Sequence, residues 1–458
     1  MRSGMVRGAV LLVVLTLGRA STGTAGEPSG LAIVEGTDKE VTAVCTALVP
    51  GWEGFAADEL RLTQLVGGIT NLLWRVDAAD SWCGAAGDRI CSVLVRRYGD
   101  GSEKLIDRTR ETAVLQALSH AGFDVALVAA FSNGRVEKWL EGWKALTMEQ
   151  MRDPQVASAV AVQIARLHTT VPQGVPGISA DDPALWRQLR SWLKQALQLE
   201  FPDDGAQAVA LQTVQLGRIA DEIDTLELQF RRLQRAAGGA QAPVFAHNDL
   251  LSGNIMIKDL DTTDPDWPKV ILIDFEYSDF NLRAFDIGNH FHEWAGFECE
   301  WDQFPSEATQ RAFIARYLAS LEPKNAAYTP ASAEQLYREV QLLGLASNLY
   351  WGLWGVLQAK YSALDFDYLG YSARRLTRFR SESGRVYAEV TAATGDIKKT
   401  GKLAQEIMQS VGTNGPEGAL PGGGGSGMAT KLAGVMKASA AELNGAMGNP
   451  AEGTHHEL

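Results

Sequence analysis

The chain has 458 residues, of which 46% are hydrophobic and 21% are charged, and this composition is typical of a globular protein with more than one folded unit. Its formal net charge of −13 argues against nucleic acid and anionic membrane surfaces as main partners. It also excludes a broad basic surface as a phosphate site, so that bound phosphate must rely on local cations and backbone amides.

The N-terminus is hydrophobic. Arg2 and Arg7 precede an apolar run over residues 9–18, and small residues follow, which is the pattern of a signal peptide. The run is too short to cross a bilayer, which takes ~20 apolar residues, so no integral membrane span is expected. We therefore set residues 1–26 apart as a hydrophobic segment. The four cysteines, at positions 45, 83, 91 and 299, form no CxxC pair and are interpreted as reduced thiols.

Strand-like segments and one helix follow. Gly67 and Gly68 separate two apolar runs, and Thr70 and Asn71 begin the second, so backbone amides could approach a phosphate there. Any tight hairpin can carry such a glycine pair. Residues 92–99 predict another strand, in which Arg96 and Arg97 point to opposite faces.

The predicted helix begins near Glu111, which we expect to form an ion pair with Arg96. The alternative is that Glu111 only stabilises the first turn of the helix. Residues 136–140, which include Lys138 and Leu140, predict one more strand.

The most informative segment runs from His247 to Asp274. Asp249 precedes Asn254 by five residues, and an apolar run over residues 270–273 leads to Asp274. Phosphoryl transfer needs one carboxylate to deprotonate the attacking hydroxyl, and an amide oxygen and a second carboxylate to hold Mg²⁺. Aspartate and asparagine are also common in turns. The joint pattern of polar loop, buried strand and second aspartate favours the catalytic interpretation.

Helical periodicity dominates the C-terminal half. Apolar residues recur every three or four positions in 156–168, 207–235, 307–321 and 333–361. His290 and His292 lie two residues apart, and we interpret them as opposite faces of a strand and not as metal ligands. Residues 395–458 are rich in glycine and alanine, and we expect them to be largely disordered.

Two longer strings resemble the choline/ethanolamine kinase family: Phe285-Asp-Ile-Gly-Asn-His-Phe-His-Glu-Trp294, and residues 346–361 continued by 366–371. The resemblance extends over about residues 62–379. It implies an α+β, two-lobed, protein-kinase-like fold, with an N-terminal β-sheet lobe that carries one helix (residues 27–140). A larger helical C-terminal lobe follows (residues 141–394).

The resemblance also assigns roles. It implies ATP and Mg²⁺ as cofactors, Asp249 as the catalytic base, and Asn254 and Asp274 as metal ligands. Residues assigned to ATP are Gly67, Gly68, Thr70, Asn71, Arg96, Glu111, Lys138 and Leu140. Residues assigned to the amino-alcohol acceptor are Glu276, Tyr277, Glu293, Trp351, Trp354 and Tyr371. Without the resemblance, Trp351 and Trp354 would be interpreted as core, because a three-residue spacing gives one buried helix face.

Leu250 and Leu251 resemble the ethanolamine branch of the family, whereas Trp294 resembles the choline branch. Ethanolamine kinase, at the entry to phosphatidylethanolamine synthesis, is therefore the expected function. A choline or dual-specificity kinase, another small-molecule kinase of the aminoglycoside type, and an inactive scaffold are the alternatives. We expect a cytoplasmic enzyme that binds ATP and ethanolamine. A homodimer, and a secretory or membrane-associated form, are left open.

Overall fold

The computed structural model describes residues 30–65, 71–84, 89–99, 106–172, 174–201, 205–239, 241–321, 329–362 and 364–394. They form a β-sheet lobe followed by a larger helical lobe, which confirms the predicted α+β, protein-kinase-like class. The N-terminal hydrophobic segment and the glycine-rich tail lie outside the described residues.

The first lobe is built on a five-stranded antiparallel sheet with the order β1-β2-β3-β5-β4. Its strands are β1 Leu60–Leu65, β2 Asn71–Ala78, β3 Ser92–Tyr98, β4 Leu127–Phe131 and β5 Gly134–Lys138. Trp74, Val95 and Val136 pair across three strands on one face and are fully buried. Arg96 lies directly opposite Arg135 on the other face, because neighbouring residues of a strand point to opposite sides. One face is therefore a core, and the other carries charge toward the second lobe.

Three helices accompany this sheet: α1 Asp38–Leu48, α2 Asp80–Cys83 and α3 Arg108–His120. The sequence predicted only α3. Helix α1 begins with a capping box between Thr37 and Glu40 and buries Val41, Val44 and Cys45 in the apolar cluster of the sheet.

The cysteine interpretation was wrong for two of the four residues. Cys83 and Cys91 form a disulfide, with their Cα atoms 5.5 Å apart. Cys83 ends helix α2, which follows β2, and Cys91 directly precedes β3, and the separation of their Cα atoms falls in the range that a disulfide needs. Sequence spacing could not show this approach. Cys45 and Cys299 are free and buried.

The second lobe holds two small sheets under a helical bundle. β6 Trp143–Ala145, β8 Ile255–Lys258 and β9 Val270–Leu272 form one sheet, and β7 Val244–Ala246 pairs with β10 Asp279–Asn281. The helices are α4 Met148–Arg152, α5 Pro154–His168, α6 Ala184–Ala196, α7 Gly205–Val214, α8 Leu216–Ala236, α9 Arg283–Glu293, α10 Glu307–Ser320, α11 Pro330–Tyr361 and α12 Tyr368–Thr394.

The structure changes two of the helix predictions. The single helix expected over 207–235 is divided into α7 and α8 at Gln215, whose φ of 49° cannot continue a right-handed helix. His290 and His292 lie on helix α9 and not on a strand.

Helices α9 and α11 cross at two glycines. A Cβ atom added to Gly288 would lie 2.9 Å from the Cα atom of Gly344. This close approach fixes α9, which carries Asn289 and Glu293, against α11, which carries Trp351 and Trp354. Within the part of the chain that the structure describes, no helix is both long and apolar enough to cross a bilayer.

Candidate active site

The loop after β7 carries Asp249 and is held in a tight backbone conformation. Asn248 has a φ of 67°, in the left-handed region that non-glycine residues rarely adopt. The backbone N–H groups of His247 and Asn248 both donate to the buried carboxylate of Asp286, at 2.9 and 2.7 Å. The Asn248 side chain donates to the carbonyl of Tyr277 at 2.9 Å. These bonds fix the loop one residue before Asp249.

Asn289 of α9 joins this loop to helix α11. Its Nδ2 donates to the backbone oxygen of Asn248 at 3.3 Å. Its Oδ1 accepts hydrogen bonds from Ser347 Oγ and Trp351 Nε1, both at 2.7 Å. Asn289 has no exposed surface. The catalytic loop and the Trp351 ring are therefore positioned by the same side chain.

Asp249 is buried at the wall of a cavity of about 240 Å³ between the lobes. Its Oδ2 accepts a hydrogen bond from Asn254 Nδ2 at 2.8 Å, and Oδ1 has no partner among the described residues. Burial, followed by the nearby carboxylates of Glu293 and Glu276, raises the pKa of Asp249 well above its usual value. Asp249 is therefore a stronger base than an exposed aspartate.

Asp274 follows β9 and reaches the same cavity. Its φ is 62°, a second left-handed residue beside the site. Its Oδ2 accepts from Arg96 Nη1 at 3.2 Å, and Oδ1 has no partner among the described residues. Burial opposes ionisation of Asp274, but the Arg96 and Arg135 cations outweigh burial and lower its pKa. Asp249, Asn254 and Asp274 thus line one cavity, as their sequence pattern predicted.

The predicted ion pair between Arg96 and Glu111 was wrong. Arg96 instead contacts Glu137 at 3.0 Å and Asp274 at 3.2 Å. Glu111 receives Arg135 at 2.6 Å and Arg108 at 2.8 Å. Arg135 lies opposite Arg96 on the same face of the sheet and occupies the place beside α3, so that Arg96 is left directed at the cavity.

The side of the cavity that carries the predicted ATP residues is mostly apolar. Its wall includes Leu73, Leu94, Val125, Ala126, Leu146, Met256 and Ile273, together with Asn71, Arg96, Lys138 and Leu140 from the predicted ATP set. The Lys138 side chain is exposed, and its strand runs along the edge of the cavity. Glu111 is not among the residues of the described wall. Gly67, Gly68 and Thr70 lie outside the described residues.

The end of the cavity that carries the predicted acceptor residues is an aromatic enclosure. The Tyr277 and Trp351 ring centroids are 5.5 Å apart, as are those of Trp351 and Trp354, and Tyr371 lies 6.2 Å from Trp354. Trp354 Nε1 donates to the Tyr277 hydroxyl at 3.0 Å. Trp351 Nε1 donates to Asn289, so both indole N–H groups are already bonded to protein oxygens. The tryptophans therefore present carbon surfaces to a ligand.

Two carboxylates complete this end. Glu293, at the end of α9, binds Arg375 through Oε1 and lines the cavity. Glu276 receives Arg108 at 3.1 Å, and burial and the neighbouring Asp274 raise its pKa to about 8. All six predicted acceptor residues line the cavity.

The sequence interpretation missed Arg108, Arg135, Asn289 and Arg375. Arg135 and Glu137 alternate with an apolar valine in β5, and paired charges of this kind on one strand face were a usable signal. Asn289 stood inside the family string and received no role. Arg375 gave no local signal, because its partner Glu293 is 82 residues away in sequence.

Comparison with known proteins agrees with this geometry. A family model described as choline/ethanolamine kinase matches residues 62–380. A probable ethanolamine kinase of Arabidopsis thaliana is 33% identical over 353 residues, which cover 77% of this chain and 87% of the relative. A probable choline kinase of the same plant is 28% identical, covering 74% of this chain and 92% of the relative.

Among solved structures, an ethanolamine kinase of Plasmodium vivax aligns with a TM-score of 0.62 at 27% identity. The alignment covers 79% of this chain and 94% of that chain. The matched range of the family model contains both Asp249 and Asp274, as well as the aromatic enclosure. The chain therefore belongs to the choline/ethanolamine kinase family and is an ATP-dependent phosphotransferase.

Proposed function

We propose that this enzyme transfers the γ-phosphoryl group of ATP to ethanolamine and forms phosphoethanolamine. The observation that carries this proposal is the presence of the Glu276 and Glu293 carboxylates at the aromatic end of the cavity that holds Asp249. A primary ammonium has three N–H donors and needs such acceptors. The ethanolamine kinases among the relatives support the same choice.

In the proposed reaction, Asp249 accepts the proton of the ethanolamine hydroxyl as its oxygen attacks the γ-phosphorus and the bond to the β-phosphate oxygen breaks. Asn254 holds the Asp249 carboxylate in place through the 2.8 Å hydrogen bond. The Arg96 guanidinium lies at the cavity wall, where it can neutralise charge on the phosphates. The largely apolar wall on the nucleotide side excludes water from the transferred group.

The donor set fits Mg²⁺. Asn254 and Asp274 offer oxygen ligands, and the Oδ1 atoms of Asp249 and Asp274 are buried carboxylate oxygens without a hydrogen-bond partner among the described residues. Carboxylate oxygens of Glu111, Asp274 and Glu276 also lie within 4.8 Å of one another. We therefore propose Asn254 and Asp274 as the residues that hold Mg²⁺. When bound, the metal would neutralise the negative charge of the phosphates.

Choline is the second candidate, because its trimethylammonium group is recognised by ring faces, which the Trp351 and Trp354 rings offer. A probable choline kinase is also among the relatives. Trp294, the residue that resembles the choline branch, does not favour choline structurally. Its indole packs on His290, and it is absent from the described wall of the cavity.

The test is phosphoryl transfer by the full chain with ATP and Mg²⁺, with ethanolamine and choline assayed separately and Asp249→Ala as the blank. We expect a kcat/KM at least tenfold higher for ethanolamine. Glu293→Gln should lower kcat/KM for ethanolamine more than for choline, and Glu300→Gln, an exposed glutamate near α9, is the matched control. Equal or higher kcat/KM for choline would overturn the ethanolamine assignment and leave the family intact.

A further inference from the structure

The guanidinium group of a buried arginine, Arg375, lies behind the residues at the acceptor end of the cavity. Arg375 of α12 is only 1% exposed. Its Nη2 binds Glu293 Oε1, and its Nε donates to the Tyr371 hydroxyl at 2.9 Å. Its guanidinium carbon lies 5.3 Å from the centre of the Tyr371 ring. One buried arginine therefore contacts a carboxylate and an aromatic residue of the cavity wall.

The stability of the fold does not explain why an arginine is buried at this position. A buried ion pair contributes little net stability, because both charges lose their hydration, and an apolar pair of similar volume would often serve the fold as well. A guanidinium next to a site for an ammonium group also repels the ligand. Burial opposes its charge, yet the Tyr371 hydroxyl and Glu293 outweigh burial, so that the pKa of Arg375 is raised and it stays charged.

The contacts of Arg375 show how it positions Glu293 and Tyr371 in the cavity wall. Glu293 uses Oε1 for Arg375, and Oε2 has no hydrogen-bond partner among the described residues. Tyr371 lies four residues before Arg375 on the same helix, so the arginine braces its hydroxyl from behind the ring. Both side chains thus keep fixed positions while their remaining surfaces line the cavity.

We propose that Arg375 is a positioning residue for acceptor selectivity: it holds Glu293 so that one carboxylate oxygen is presented to the N–H donors of a primary ammonium. This inference rests on the proposed function. Hydrogen bonds from a primary ammonium are directional, whereas attraction of a trimethylammonium to ring faces is much less so. Loss of Arg375 should therefore harm ethanolamine more than choline.

The experiment compares Arg375→Lys, Arg375→Gln, Glu293→Gln and the double variant Arg375→Gln/Glu293→Gln in the full chain. KM for ethanolamine, choline and ATP is measured for each, together with the melting temperature. Arg380→Gln is the matched control. Arg380 lies on the same helix as Arg375 and forms an ion pair with Glu222 of α8, and neither Arg380 nor Glu222 belongs to the described cavity wall.

We expect Arg375→Gln to raise KM for ethanolamine about tenfold or more, the loss typical of a hydrogen bond to a charged group, with a smaller change for choline and none for ATP. Arg375→Lys should fall between this variant and the wild type. Adding Glu293→Gln should cause little further loss, because the two residues act as one unit.

Two results would overturn the inference: an unchanged ethanolamine KM in a folded Arg375→Gln protein, or additive losses in the double variant. If Arg375→Gln does not fold, the KM values of Arg375→Lys for ethanolamine and choline are compared instead. Lysine keeps the positive charge but lacks the planar guanidinium that contacts both Glu293 and Tyr371. Failure of the proposed function is distinguished by the wild type alone, which would then prefer choline whatever Arg375 does.

Discussion

Two left-handed residues, Asn248 and Asp274, flank the reacting centre. Such a backbone conformation costs ~1–3 kcal/mol in a non-glycine residue and persists only where the surroundings impose it. The surroundings are visible for Asn248, whose backbone and side chain are both hydrogen-bonded to buried partners. The strain places Asp249 and Asp274 at one cavity from two different elements.

The proposed role of Asp249 as the base can be tested by Asp249→Asn, which keeps the shape of the side chain and removes its ability to take a proton. We expect turnover to fall by ~10²–10⁴-fold, the usual contribution of a general base, and ADP affinity to change little. Steady-state rates and calorimetric ADP binding measure the two. Asp259→Asn, at an exposed carboxylate that contacts Lys144, is the control. Near-normal turnover of Asp249→Asn would refute its role as base.

The buried histidines predict how stability depends on pH. Burial lowers the pKa of His290 to about 4 and that of His292 to about 3. Unfolding exposes both to water, where they bind protons near pH 6.5. Their stabilising effect is therefore complete above pH 6.5, and is lost as the pH falls from there toward their folded pKa values. For His290 the loss is on the order of 3 kcal/mol.

Melting temperatures between pH 4.5 and 7.5 check this prediction. His290→Gln can keep a hydrogen bond to the Leu250 carbonyl, and it should flatten the acid side of the curve while lowering stability at pH 7.5. His120→Gln, at an exposed position on α3, should leave the shape unchanged. Identical acid slopes for wild type and His290→Gln would contradict the assignment.

At the scale of the elements, the crossing of α9 and α11 sets the distance between the Asp249 loop, which Asn289 of α9 contacts, and the tryptophans of α11. Gly288→Ala would place a methyl group 2.9 Å from the Gly344 backbone, so the helices must separate. We expect a loss of ~1–3 kcal/mol in the free energy of unfolding, measured by denaturant titration. Gly384→Ala on α12 meets nothing within 4 Å and should be neutral or stabilising. Equal effects of the two substitutions would refute the close crossing.

Elements with a strong local pattern were predictable. The run before Asp274 forms β9, and the periodic segments form α5, α10 and α11 close to their predicted bounds. The division between α7 and α8 was not predictable, because glutamine is not a residue type that indicates the left-handed backbone conformation that Gln215 adopts. Helix α1 was missed although its capping box was readable from Thr37 and Glu40.

The same distinction applies to the site. The spacing of Asp249, Asn254 and Asp274 along the chain was enough to predict that the three side chains meet at one site. The partner of Glu111 depended on which of two arginines, in different strands, lies nearer to α3, and only the register of β3 and β5 decides that. The Cys83–Cys91 pairing likewise depended on how close the end of α2 lies to the start of β3, which sequence spacing does not show.

At the scale of the whole molecule, the cavity is shared between the two lobes, and α3 of the first lobe is attached to the second. Arg108 contacts Glu276 at 3.1 Å, and Arg110 contacts Asp279 at 3.0 Å. Both acidic residues follow Asp274 within five positions. The first lobe is thus anchored on the segment that carries the proposed metal ligand.

A ligand in this cavity should therefore stabilise both lobes together. We expect ADP with Mg²⁺ to raise the melting temperature more than ADP with EDTA, since a ligand at 100 times its Kd adds ~2.7 kcal/mol. Asp274→Asn should abolish the difference between the two conditions, whereas Asp302→Asn, at an exposed position between α9 and α10, should retain it. If Mg²⁺ still raises the melting temperature of the ADP-bound Asp274→Asn protein, Asp274 is excluded as a metal ligand.

The link from Asn248 through Asn289 to Trp351 has a consequence for changing what the enzyme accepts. Replacing Trp351 by a smaller residue would remove one of the two hydrogen bonds that the Asn289 amide oxygen accepts and loosen the loop before Asp249, so a broader acceptor range would be obtained with slower catalysis. Phe297 also lines the cavity, and an apolar ring carries no hydrogen bond that its replacement would break. Directed evolution toward bulkier amino alcohols should therefore accumulate its first productive substitutions at Phe297 and spare Trp351.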